Sequence, residues 1–228
     1  MSRACYISIL VCTLALGSCW EGISRQVVAS VLSFRGESTY RSKEASDFRP
    51  IDLQTKLGPG STLKTSNDGQ LNMILIPGAL ARISGDSELQ IEELKLTKDG
   101  NETGDAMRER TVRVELRRGA MIVLFEGVAR FTIETHQCTI TVLPSCLFRL
   151  DVDGSRTRLT CIRGKIYAAR KPAQISAVEA GYVCEWPSDH GAVPAADDVQ
   201  GQIDTTATLQ AGRELRDLEA ARRDHLPF

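Results

Sequence analysis

The side chains able to do chemistry are few and scattered. Three histidines stand at His136, His190 and His225, expected on a strand end, in a linker and in a terminal helix. They cannot form a metal-binding cluster, and no close Cys/Cys or Cys/His pair has zinc-ligand spacing. His136 precedes Cys138 by two residues, which on a strand puts both on one face and would allow a thiol–imidazole nucleophile. Cys138, however, shares its phase with Ile140 and Val142, the setting of a packed thiol. The acidic pairs Glu92-Glu93 and Asp197-Asp198 are adjacent in sequence. Strand neighbours face opposite ways and the second pair lies in the linker-like stretch, so neither makes an acid/base dyad. There is no Gly-rich phosphate loop and no Gly-x-Ser-x-Gly elbow. Arg108, Arg110, Arg113, Arg117 and Arg118 cluster, and read as a solvated strand face with its loop rather than a dedicated anion site. The expectation is a protein that is not an enzyme and uses no cofactor or metal.

The cysteines say more about compartment than about reaction. Met1-Ser2-Arg3 gives a positive start, Ala4 to Leu16 is an apolar run without charge, and Leu16-Gly17-Ser18-Cys19 closes it. That run is shorter than the roughly 20 residues a membrane span needs, and it has the layout of a secretory signal. Its closing tetrapeptide resembles a bacterial lipobox. The resemblance implies removal of residues 1–18, lipid attachment at Cys19, and a place on the periplasmic face of the cell envelope; Trp20 after the cysteine favours the outer membrane. Lipidation would make the membrane itself a partner, since each buried methylene of an acyl chain adds about 0.8 kcal/mol. Cys5 and Cys12 leave with the signal, so Cys138, Cys146, Cys161 and Cys184 remain as candidates for a disulfide in an oxidising compartment. Their strand phases place none of the first three directly opposite another, which favours buried thiols at most positions.

The elements that would carry these groups follow from period and turn. Without the signal the charge balance is 27 basic to 29 acidic residues, so no nucleic-acid partner is implied. Turn signals recur at Gly58-Pro59-Gly60, Asn67-Asp68-Gly69, Pro77-Gly78, Gly85-Asp86 and Asp153-Gly154-Ser155. Between them apolar residues alternate with polar ones, as in Leu71, Met73, Leu75; Val112, Val114, Leu116; Phe131, Ile133; and Phe148, Leu150, Val152. Ala120 to Phe125 is apolar on both phases and is expected at the centre of a sheet. The fold class is all-β: about ten strands in a β-sandwich or short solenoid-like stack, with a C-terminal helix. Residues 19–50 read as a tether with a candidate first strand at Val27 to Leu32, 51–186 as the β domain, 187–202 as a linker and 203–228 as the helix. Residues 97–110 read as a surface loop. Thr205-Thr206 is the expected helix cap, and the thin apolar stripe of Leu209, Leu215 and Leu218 suggests loose packing.

The stretch from Lys56 to Leu94 resembles the opening of a FecR-like domain, through Leu63-Lys64-Thr65, the turn glycines Gly69 and Gly78, and Ser87-Glu88-Leu89. Leu116 to Gly119, Phe131 to Thr135, Cys161 to Ile166 and Ala180-Gly181 continue the likeness, over about residues 51–186. One departure is Ser145-Cys146-Leu147-Phe148, where the family has Gly-Thr-x-Phe; a serine there implies a rebuilt turn. The resemblance implies a regulatory protein, since family members place a cytoplasmic segment on a sigma factor and a periplasmic domain on a transporter. With only Met1-Ser2-Arg3 ahead of the apolar run, a cytoplasmic segment is not expected here. Two roles follow: a lipid-anchored module binding a protein or envelope polymer, or a periplasmic accessory sensor working with a separate membrane regulator.

Overall fold

The computed structural model describes residues 23–98, 109–127, 130–170, 174–188 and 190–224. The chain starts with short strands β1 (Ile23–Gln26), β2 (Ala29–Arg35), β3 (Ser38–Arg41), β4 (Arg49–Pro50), β5 (Lys56–Leu57) and β6 (Thr62–Thr65). The alternating runs then form β7 (Gln70–Ile76) and two long strands, β8 (Ala79–Lys98) and β9 (Glu109–Phe125). β10 (Arg130–Glu134), β11 (Cys138–Val142), β12 (Cys146–Asp153), β13 (Arg156–Arg163), β14 (Lys165–Arg170), β15 (Gln174–Glu179), β16 (Tyr182–Trp186) and β17 (Val193–Pro194) follow. A 3-10 turn at Ala195–Asp197 leads into α1 (Val199–Asp224), the one α-helix among the described residues. The protein is mostly β with a C-terminal helix, and hydrogen bonds join the 17 strands of the described residues into one open sheet. The count exceeds the ten expected because strands of two to four residues are too short to show a period in sequence. No described helix is long and apolar enough to cross a membrane. Cys19 and the signal segment, and most of the 97–110 loop, lie outside the described residues.

β8 and β9 each serve two parts of the sheet. Their first pairing runs Ala79↔Phe125 to Ser84↔Ala120; the register then shifts, and a second pairing runs Glu88↔Arg118 to Thr97↔Glu109. The break is a corner. Gly85 and Asp86 have positive φ (64° and 42°), and so does Gly119 opposite them (90°). Ser87 locks the corner: its Oγ donates to Ser84 O at 2.6 Å and accepts from Ala120 N at 2.9 Å. A Cβ on Gly119 would lie 2.1 Å from that Oγ, so only glycine fits.

Beyond the corner the sheet folds over, and both halves turn one phase of their side chains into a common core. Leu71, Met73 and Leu75 of β7, Met121, Val123 and Phe125 of β9, and Phe148, Leu150 and Val152 of β12 enter from one half. Leu89 and Ile91 of β8, Val112, Val114 and Leu116 of β9, Phe131 and Ile133 of β10, and Ile140 of β11 enter from the other. Phe125 and Phe131 meet edge to face, with ring centroids 5.5 Å apart. Residues 23–50, read as a tether, are built into the sheet: β2 pairs with β5 and β7, and β3 with β6. Residues 187–202, read as a linker, hold β17, the 3-10 turn and the first turn of the helix.

The turn before β12 has a left-handed residue at its last position. Ser145 takes the left-handed conformation itself, at φ 63°, which a side chain adopts at a cost of order 1–3 kcal/mol. Opposite effects are therefore expected at two positions. Ser145→Gly should stabilise the fold by about 0.5–1 kcal/mol, the relief of strain less the added unfolded-state entropy. Gly119→Ala should cost about 3 kcal/mol or more, from strain plus overpacking against Ser87. Urea unfolding of the two variants measures both, and equal small effects would remove the corner from its assigned role.

Candidate functional site: a polar trough and the clamp of the C-terminal helix

The second face of the half-sheet from β2 to β16 carries cross-strand rows set by register. One row reads Ile74, Leu80, Leu124 and Leu147, the next Asn72, Arg82, Ile122, Arg149, Thr160 and Val183, and the third Ser84, Ala120, Asp151, Arg158 and Glu185. The face is thus apolar along one side and charged along the other. α1 lies across it. Leu80, Ile122, Leu124 and Leu147 form a second apolar cluster with Ala211 and Leu215, and Leu32, Ile74 and Ile162 border it. This explains why Ala120 to Phe125 is apolar on both phases: one phase enters the core, the other sits under the helix. The helix approaches closely through small residues. A Cβ on Gly212 would lie 3.0 Å from Leu147, and one on Gly201 2.9 Å from Ala195 O.

Arginines of the sheet fasten the helix. Arg158, largely buried, reaches Asp198 and Glu185 through its two terminal nitrogens and Asp204 through Nε at 3.4 Å. Arg149 is bidentate to Asp151 (2.5 and 2.7 Å) and lies 3.6 Å from Asp204. Asp204 is only 4% exposed at its side chain, and Gln200 also donates to it at 2.9 Å. Further along, Arg82 donates to Asn72 at 2.8 Å and to Glu214 at 2.5 Å, and Asn72 donates on to Ser33 at 2.8 Å. Fork-shaped guanidinium groups suit such shared carboxylate contacts. Asp198 also caps the helix, accepting from Gln200 N at 3.1 Å. The expected caps Thr205 and Thr206 instead bond back to the carbonyls of Gly201 and Gln202.

Beside the helix start lies an open trough of about 1000 Å³, lined by Arg35, Arg117, Arg118, Arg149, Arg156 and Arg158 together with five aspartates. Its charge is nearly balanced, and most of its guanidinium groups hold carboxylates of the same chain. Arg118 pairs with Asp86 at 3.0 Å, and Arg117 with Glu115 at 2.9 Å and Glu88 at 3.3 Å. Of the arginine cluster noted in the sequence, Arg110 donates to Pro77 O and Arg113 pairs with Glu92 and Glu93, while Arg108 lies outside the described residues. Glu92 and Glu93 both reach Arg113 because the register shifts between Ile91 and Glu93. The rule that strand neighbours face apart fails at that bulge.

All four described cysteines are buried and free. Cys138 faces Arg170, Cys161 faces Phe148 and Tyr182, and Cys184 faces Leu159, so none stands opposite another in register. Burial raises every one of these thiols, Cys161 to about 12 and Cys184 to about 11, which leaves little thiolate for nucleophilic work. Cys138 Sγ lies 3.6 Å from Thr135 Oγ1, and His136 is exposed beside it. Among the described residues no three His, Cys, Asp or Glu side chains gather as metal ligands. Sequence reasoning missed Arg82, Arg158, Asp198 and Asp204. Asp198 carried a usable signal as an Asp before a helical run, but the arginines look like ordinary outward strand residues until the helix is placed.

The clamp should be acid-sensitive. A hydrogen bond from Arg158 holds the Asp198 carboxyl below its ordinary value, and one from Arg82 does the same for Glu214. A carboxylate lowered on folding stabilises the folded state above its unfolded pKa and loses that contribution as pH falls through the folded one. Asp151 shifts upward because it is buried, so its protonation does not disfavour the fold. Below about pH 4, where ordinary carboxylates titrate, α1 amides should lose hydrogen-exchange protection before those of β9 and β12. Asp198→Asn with Glu214→Gln should flatten that dependence. Simultaneous loss in helix and sheet would argue against a separable clamp.

Residues 61–167, from the start of β6 into β14, match the family model described as FecR protein. No curated protein aligns significantly with the chain. Among solved structures it is similar to two crystal structures, at 2.50 and 1.65 Å resolution, of a candidate anti-sigma factor from Parabacteroides distasonis ATCC 8503. Each likeness has 11% identity and a TM-score of 0.41, and covers 58% of this chain and 57% of the other, so just over half of either length is shared. The segment that contains the corner, the common core and most of the strands beneath α1 is thus the part of the chain that matches the FecR model, just under half of its length.

Proposed function

We propose that the protein is a non-enzymatic component of a FecR-type signalling system, an accessory sensor on the periplasmic side of the envelope that works with a separate membrane regulator. The observation that carries this reading is the FecR match over residues 61–167. The geometry supports it, because groups that could do chemistry are committed to structure: guanidinium groups hold carboxylates of the same chain, and burial raises the thiols. What the fold offers a partner is surface, through sheet edges, the trough and the helix face. Lipidation of Cys19 would hold that surface at the membrane, where two dimensions raise its local concentration near a regulator.

Two measurements test this. Deleting the protein should change, by about fivefold or more, the response of a reporter driven by the sigma factor that the cell's FecR-type regulator controls. Wild type should restore it and Cys19→Ala should not. Palmitate should label the wild-type chain and not Cys19→Ala. An unchanged reporter would sink the signalling reading, and retention of the protein on purified envelope polysaccharide would then favour a lipid-anchored binding module.

A further inference from the structure

The face beneath α1 has the features of a receptor in its own right. It has an apolar row (Leu80, Leu124, Leu147) and, beside it, two cationic anchors, Arg82 and Arg158. The helix holds it with little apolar contact. Most of its buried positions are small or polar (Gly201, Thr208, Ala211, Gly212), and Leu215 is the one large apolar side chain among them. Thr208 is fully buried, yet its Oγ1 has no hydrogen-bond partner among the described residues. Its neighbours Thr205 and Thr206 satisfy theirs, so the defect belongs to the docked position. A buried hydroxyl without a partner disfavours docking. The connection also gives slack: β17 pairs with β16 through two residues only, and Gly191 has open space around it.

We propose that this face is a helix-docking surface and that a helix of a partner protein takes it by displacing α1. The occupant follows from charge complementarity: a helix with a stripe of small residues around one leucine, and two carboxylates ten residues apart, as Asp204 and Glu214 are. At 1.5 Å per residue that spacing is about 15 Å, the separation the two anchors must bridge. α1 then acts as a built-in competitor. The apparent affinity for the partner is the intrinsic affinity reduced by the fraction of molecules with α1 released. This inference rests on the signalling reading only for the existence of a partner. Its test needs no signalling, so either can fail without the other.

The probe is a fluorescein-labelled peptide of residues 199–224, added to the full chain and followed by anisotropy. Variants on α1 leave the receptor face untouched. Leu215→Ala should raise peptide affinity at least tenfold over wild type, and Glu214→Gln, which keeps the apolar contact if the first variant folds poorly, should raise it about fivefold. Thr208→Val, which removes the unsatisfied hydroxyl and tightens α1, should lower affinity about fivefold. A peptide carrying Asp204→Asn and Glu214→Gln should bind the loosened chain at least tenfold more weakly. Equal affinity across wild type and the three variants, or no binding to any of them while circular dichroism shows an intact sheet, overturns the proposal. Concentration-dependent dimers that the peptide does not dissolve would assign the face to a second copy instead, and overturn it as well.

Discussion

β9 is buried on both of its faces from Ala120 to Phe125, and the rest of the architecture answers to that. Met121, Val123 and Phe125 can be covered by the folded-over half of the sheet, but Ile122 and Leu124 point the other way. Left in water with Leu80 and Leu147 they would make a contiguous apolar patch of the kind that promotes association. A helix is the economical cover, because it supplies its own backbone hydrogen bonds. The same strand must also reach the opposite half-sheet, which is why its pairing with β8 breaks at Gly119 and Ser87 rather than continuing straight. Two-sided burial and the corner are therefore linked. Without the corner, β9 could not serve both halves, and the inner face of Met121 to Phe125 would lose its cover.

The nature of α1 follows from what else lies on that face. Arg82, Arg149 and Arg158 stand in register beside the apolar row, and charges cannot lie beneath a helix without partners. The helix accordingly carries Asp204 and Glu214 on its inward side and Asp198 at its cap. This accounts for the thin apolar stripe. Where an ordinary surface helix would present several leucines, α1 presents glycine and alanine so that its backbone lies close enough for the carboxylates to reach. Fully buried Leu215 supplies much of the apolar contact, and truncating such a side chain to alanine typically costs about 2–5 kcal/mol.

Much of this was legible in the sequence, and the parts that were not share a cause. The cores of β7, β9, β10 and β12 stand out because alternation over five or more residues has one structural meaning. β4, β5 and β17 have two residues each and carry no period at all. That Glu92 and Glu93 share a partner was not legible, because a bulge is a property of pairing, not of composition. The helix was visible but its start was not, since Gly201 resembles a linker residue until its contact with Ala195 is known. The clamp was least legible. Arg82 and Glu214 are 132 residues apart, Arg158 and Asp198 are 40 apart, and nothing local to an arginine on a strand tells which distant carboxylate it will meet.

That non-local clamp governs position more than strength. The pairs with partly exposed carboxylates, Glu214 with Arg82 and Asp198 with Arg158, contribute only about 0–1 kcal/mol each. The buried pair of Arg158 with Asp204 gains little beyond the desolvation it costs, so these contacts cannot hold the helix alone. Their effect lies in what alternatives would lose. The apolar row of Leu80, Leu124 and Leu147 would accept a smooth helix at several offsets. A slip of one turn moves α1 by about 5.4 Å, which separates Glu214 from Arg82 and Asp198 from Arg158 together. Each arginine would then lie under the helix without its carboxylate, a far larger cost than the pairs contribute in place. The apolar contact thus gives the helix its attraction to the sheet, and the guanidinium groups select the one offset at which it can rest.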